Sequence, residues 1–161
     1  MARRRLAAAL VAVAVTVPFA TAAGAADPPK ACAVLKRSDI QRVVGAPTTK
    51  FAKEQPTPKT ASVCNWDVGA PASGALVSVW VQRGKAAKQG YKQALRLFTD
   101  DAEPVDDLDG QAFYSPRAGT VYVLDGSTLL YVQRLDATGA THAGALRDQA
   151  IELTGLALER L

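Results

Sequence analysis

Two cysteines, one histidine and a run of acids between Asp100 and Asp109 are the side chains of this 161-residue sequence on which chemistry would first draw. Cys32 and Cys64 lack the C-x-x-C spacing of a redox pair, which brings one thiolate within reach of the other's disulfide. With the single His142 they also fall short of the four ligands a structural zinc ion takes. His142 precedes a helical pattern, and no G-x-S-x-G elbow accompanies it, so it reads as a helix-start residue rather than a member of a Ser-His-Asp site. Asp100, Asp101, Asp106, Asp107 and Asp109 occupy turn-rich sequence. They do not reproduce the alternating ligands and closing twelfth carboxylate of a calcium loop, and paired acids for glycoside hydrolysis need a cleft between them. Phosphate-cradling glycine loops and helical metal-ligand pairs are missing as well, so no catalytic residue, cofactor or metal is expected.

Aromatic residues are the remaining candidates. Trp80, Tyr122 and Tyr131 fall on β-rich segments, each on the face opposite a run of valines. Trp80 is read in two ways, as a surface aromatic at a binding patch or as cover for a second layer. The three together are the candidate binding surface.

Alternation and punctuation define the elements that carry these groups. Ser38 and Gln41 are spaced as a capping box for a short helix ended by Gly45 and Pro47, with Ile40, Val43 and Val44 on its apolar side. Residues Ala46 to Ala61, with three prolines, show neither helical nor strand period and read as a long exposed loop. Ser62 to Val68 places Cys64 and Trp66 on one side of a strand, and Ala75 to Gln82 places Val77, Val79 and Val81 on one face; the two should form a hairpin. Ala87, Tyr91, Leu95 and Phe98 have helical spacing from Lys85 to Phe98. Thr120 to Leu124 and Ser127 to Leu135 flank Asp125-Gly126, a dipeptide suited to a two-residue hairpin turn. That hairpin gives Val121, Val123, Leu130 and Val132 one face, and Tyr122, Leu124, Leu129 and Tyr131 the other. Thr141 would cap a final helix to about Arg160, with Ala143, Leu146, Ala150, Leu153 and Ala157 toward the core. The expected fold is α+β: an antiparallel sheet of two hairpins, about four to five strands, with helices mainly on one face and one disulfide.

The amino end has the layout of a secretory signal. Arg3, Arg4 and Arg5 precede an apolar run from Leu6 to about Phe19, and small residues follow to Ala26. Cleavage is expected after Ala25 or Ala26, leaving a single domain over 27–161. The run is shorter than the roughly 20 residues that span a bilayer, and Cys32 lies too far beyond it for lipid attachment. Release rather than anchoring follows. An even cysteine pair in an exported chain favours a Cys32–Cys64 disulfide. Without the three arginines the chain carries 16 basic and 15 acidic residues, so its basicity belongs to the leader. Lys50, Lys53 and Lys59 share one loop without interleaved aromatics, and nucleic acid is not an expected partner.

An early cysteine, a Ser-Asp-Ile helix ending in Val-Val-Gly, then Cys64-Asn65-Trp66 and a Val-x-Val-x-Val strand resemble a family of small actinobacterial secreted proteins and lipoproteins of unknown function. Asp107-Leu108-Asp109-Gly110-Gln111-Ala112-Phe113 is similar to that family's Gly-Leu-Gly-Asp-x-Ala turn, with Asp and Gly exchanged. The scaffold also resembles extracellular sensor domains of actinobacterial receptor kinases. The resemblance supplies no catalytic residues. Two function classes stand: a secreted binding module of the cell envelope, recognising a small molecule, glycan or protein, and a small secreted hydrolase or hydrolase inhibitor.

Overall fold

The computed structural model describes residues 27–50, 59–70 and 73–161; the expected leader lies outside the described residues, as does much of the proline-bearing loop. Within them the chain runs α1 (Ala31–Val34), α2 (Arg37–Val44), β1 (Thr48–Lys50), β2 (Ala61–Val68), β3 (Ala75–Arg83), α3 (Lys85–Leu97), β4 (Glu103–Pro104), β5 (Gln111–Ser115), β6 (Thr120–Asp125), β7 (Thr128–Asp136) and α4 (Ala143–Leu158). The strands form one antiparallel sheet in the order β1-β2-β3-β7-β6-β5-β4. Two meanders therefore meet at the central β3–β7 pair, and the chain crosses from one to the other through α3.

The sheet has seven strands among the described residues rather than four to five. β1 lies inside the segment expected to be irregular, pairing Thr48 with Val68 at the sheet edge. β4 falls within an expected acidic turn, and β5 directly follows the second one, in sequence to which no strand was assigned. β5 gives no clean alternation because both of its faces are covered: Phe113 and Tyr114 point to opposite sides of the sheet and both are buried.

One face is packed by α1, α2 and α4. Cys64, Trp66, Val77, Val79, Val81, Leu130 and Val132 meet Ala31, Leu35, Ile40, Leu153 and Ala157 there in one core. Val121, Val123 and Tyr114 extend that layer toward Ala150. Cys32 and Cys64 are bonded with their Cα atoms 5.1 Å apart, which fastens α1 to β2. A second tie runs from the Ala31 N–H to Ser62 Oγ at 2.9 Å. The opposite face carries α3, whose Ala87 and Tyr91 pack on Phe113 and Leu129.

Local expectations shift in five places. The α2 start is organised by Asp39, whose carboxylate accepts the Lys36 N–H at 3.0 Å, and not by Ser38 with Gln41. Leu95 is 41% exposed, so the α3 stripe runs through Ala87, Tyr91, Ala94 and Phe98 instead. The α4 cap is His142 rather than Thr141, because the Thr141 N–H is held by Asp136. On α4 the core positions are Ala150, Leu153 and Ala157, whereas Ala143 is exposed and Leu146 half-buried at the first turn, which overhangs the sheet end. The β6–β7 turn is Gly126-Ser127, since Asp125 pairs with Thr128. Moving the turn by one residue on each strand leaves every side chain on its expected face.

Candidate functional site

Sheet register sorts the α3-side face into parallel rows, one residue from each strand. The row containing Gln82, Leu129 and Leu124 runs beneath α3, where a Cβ on Gly90 would come within 3.0 Å of both Gln82 and Leu129. The next row holds Val63, Trp80, Tyr131, Tyr122 and Phe113 as successive cross-strand neighbours. The row after that holds Asn65, Ser78, Gln133, Thr120 and Ser115. A row beneath the helix, an aromatic row and a polar row thus lie side by side, and the α3 segment covers the first and the Phe113 end of the second.

The aromatic row is continuous. Trp80 stacks on Tyr131 at 5.6 Å with planes 14° apart, Tyr131 meets Tyr122 at 5.5 Å, and Tyr122 stacks on Phe113 at 4.8 Å. Phe98 and Tyr91 of the α3 segment close on the Tyr122 and Phe113 end. Such cross-strand pairs contribute about 0.5–1.5 kcal/mol each beyond their burial, so the row stiffens its own strands. Exposure falls along it: Phe113 is 3% exposed, while Tyr122, Tyr131 and Trp80 are half-buried. Trp80 ends the row. With one indole face against Tyr131, the other looks toward β2, where Val63 and Asn65 lie.

The candidate residues Trp80, Tyr122 and Tyr131 are therefore brought into one contiguous strip. Burial pushes the Tyr131 hydroxyl far above its ordinary value and raises Tyr122 too, with the Thr120 hydroxyl opposing the shift. Both phenols stay neutral and act as hydrogen-bonding tips.

The polar row supplies complementary groups. Ser78 Oγ donates to Asn65 Oδ1, which leaves the Asn65 amide N–H groups without a described partner. Gln133 Nε2 donates to the Ala118 carbonyl at 2.9 Å, which leaves its Oε1 as an acceptor without a described partner. Val63, Asn65, Ser78, Trp80, Tyr122 and Gln133 line a shallow groove of about 450 Å³. Its floor is apolar rings on one side and an amide donor, a hydroxyl and an amide acceptor on the other. That combination is suited to binding rather than bond-breaking, because no nucleophile with an adjacent base lines it.

The remaining candidates from the sequence fall elsewhere. His142 Nδ1 accepts the Ala145 N–H at 3.1 Å and caps α4. Asp101 is tied to Ser115, to the Arg117 backbone N–H and, at 3.5 Å, to the Arg117 guanidinium, which locks the β5–β6 turn against the end of α3. Among the described residues no group of three or more His, Cys, Asp or Glu is arranged to hold a metal ion. Among the described residues no helix is long and apolar enough to cross a membrane.

Asn65, Ser78 and Gln133 escaped the sequence reading, because polar residues alternating with valines look like an ordinary solvated face. Ser78 and Gln133 had one signal, each two residues from an aromatic on its own strand, whereas Asn65 had none beyond its place opposite Ser78. Comparison with protein-family models, with curated proteins and with solved structures finds no match for this chain.

Proposed function

We propose that this chain is an exported, non-catalytic binding module whose site is the groove between the aromatic and polar rows, and that its ligand is a cell-envelope saccharide. The carrying observation is the half-exposed Trp80–Tyr131 stack lying one row from an amide donor at Asn65 and an amide acceptor at Gln133, neither with a partner among the described residues. A sugar ring offers the matching pair of surfaces. Its axial C–H face packs on an aromatic ring, and its equatorial hydroxyl or acetamido groups reach the polar row at the spacing of neighbouring side chains on a strand.

Rigid support favours the same reading. The rings are fixed by cross-strand packing and by α3, so little side-chain entropy is lost on binding. Export is supported by the leader pattern and by a disulfide that an oxidising compartment would maintain. Membership in the actinobacterial secreted family that the sequence resembles belongs to the same proposal. The capping role of His142 supports a module without catalysis over a hydrolase.

The test is calorimetric titration of the oxidised protein with muropeptides and chito-oligosaccharides, after a glycan array selects among them. Trp80→Ala should weaken binding at least tenfold, about 1.4 kcal/mol, while the thermal midpoint stays within a few degrees of the parent. Retained affinity in folded Trp80→Ala, or an array with no saccharide bound, would remove the reading.

A further inference from the structure

A second cavity lies at the end of the sheet where β7 gives way to α4. It measures about 560 Å³, within the range of small-molecule sites, and its walls include Leu76, Tyr114, Leu135, Leu146 and Ala143. Arg134 reaches it from β7, on the strand face that also carries Leu130 and Val132. The residue is only 3% exposed.

A guanidinium at that depth loses its hydration, which costs several kcal/mol unless a counter-charge and hydrogen bonds replace it. Here the replacements are neutral. Nε donates to Gln149 Oε1 at 3.0 Å, and Nη1 donates to the carbonyls of Leu135 and, at 3.5 Å, Leu76. Nη2 donates to no described residue. The two carboxylates of the cavity wall are already engaged: Glu103 bonds Arg147 at 3.0 Å, and the oxygens of Asp136 accept from the Thr138 and Thr141 N–H groups. Asp136 favours the charge on Arg134 through space without bonding it, and burial works against that charge. Ala143 and Gly144, at the positive end of the 16-residue α4, also face the cavity.

We propose that this cavity binds a small organic acid with an apolar body, its carboxylate on Arg134 and its body along Tyr114 and Leu146. With Nε and Nη1 engaged, Nη2 is left to donate to a carboxylate oxygen, and a charged pair formed in an apolar pocket is strengthened by the low local dielectric. An anion without an apolar body would leave the walls unfilled, and a neutral chain would leave the Arg134 charge unmatched. Leu76 borders both this cavity and the saccharide groove, but Arg134 and Trp80, the residues on which the two sites turn, stand on opposite faces of the sheet.

Decanoate and decanol, titrated into the oxidised full chain by calorimetry, differ only in the charge that Arg134 would recognise. Decanoate should bind at least tenfold more tightly, and Arg134→Gln should reduce the two to parity. Ala143→Phe, which fills the cavity mouth from an exposed position and leaves Arg134 in place, should abolish decanoate binding in a protein with unchanged circular dichroism; this variant decides the matter if Arg134→Gln fails to fold. Trp80→Ala should bind decanoate as the parent does. Equal affinity for acid and alcohol, decanoate binding that survives Ala143→Phe, or loss on Trp80→Ala instead, would each overturn the assignment.

Discussion

Reduction of the Cys32–Cys64 bond should cost this protein about 3–4 kcal/mol of stability. The figure follows from a sequence separation of 32 residues, since closing a loop of that length removes conformational entropy from the unfolded chain. The native state adds reasons for the bond to matter. α1 is a single four-residue turn that cannot hold its place by helix propensity, and Cys64 is 2% exposed in the layer that α1 helps to cover. Urea denaturation of the same chain, oxidised and fully reduced, followed by tryptophan fluorescence, measures the difference directly. For a domain of this size it corresponds to a fall of roughly 10–15 °C in thermal midpoint. The urea slope should rise in the reduced form, because an unlinked denatured chain exposes more surface. A loss below about 1 kcal/mol with unchanged slope would refute the reasoning and assign the hold on the amino-terminal segment to packing alone.

Three further outcomes follow from particular contacts. The Arg160 guanidinium bonds both oxygens of Asp39 at 2.7 and 3.2 Å and holds its carboxyl below the usual carboxylate value. That contribution is fully present above the unfolded pKa and is lost as pH falls through the lowered one, so Asp39→Asn should lower the thermal midpoint at pH 7 and converge with the parent in strong acid. Leu153→Ala removes a fully buried side chain at the centre of the α4 face and should cost about 2–5 kcal/mol in urea denaturation, with the sheet-face groove intact. Gly119→Ala should cost more than Gly126→Ala. Both glycines have positive φ, but an added Cβ at Gly119 would stand 2.7 Å from the Arg134 carbonyl, whereas Gly126 faces open space, so Gly126→Ala carries only the left-handed penalty of about 1–2 kcal/mol.

Much of the framework was readable in the chain. Alternation around Cys64-Asn65-Trp66 and through the valines of β3 assigned the buried face, and the same parity put Tyr122 with Tyr131. The disulfide followed from cysteine count and the expected compartment. What could not be read was adjacency between distant strands. Trp80 and Tyr131 are neighbours only because β7 returns beside β3, a long-range pairing that no local pattern encodes. β5 was hidden for a different reason: burial on both faces erases the period of two on which strand recognition rests. Arg134 was passed over because a charged residue near a strand end reads as solvated. Its parity with Val132 was the signal, since that face is the core face.

The two tryptophans offer the most direct test of the saccharide site. Trp66 is 3% exposed in the disulfide-side core, and Trp80 ends the aromatic row on the opposite face, so one indole serves as an internal reference for the other. In a nitrogen-15 correlation spectrum of the oxidised protein titrated with a muropeptide, the Trp80 indole N–H resonance should move saturably while that of Trp66 stays fixed. A Trp80 resonance unmoved at millimolar saccharide, or moving only together with Trp66, would contradict the assignment of the groove.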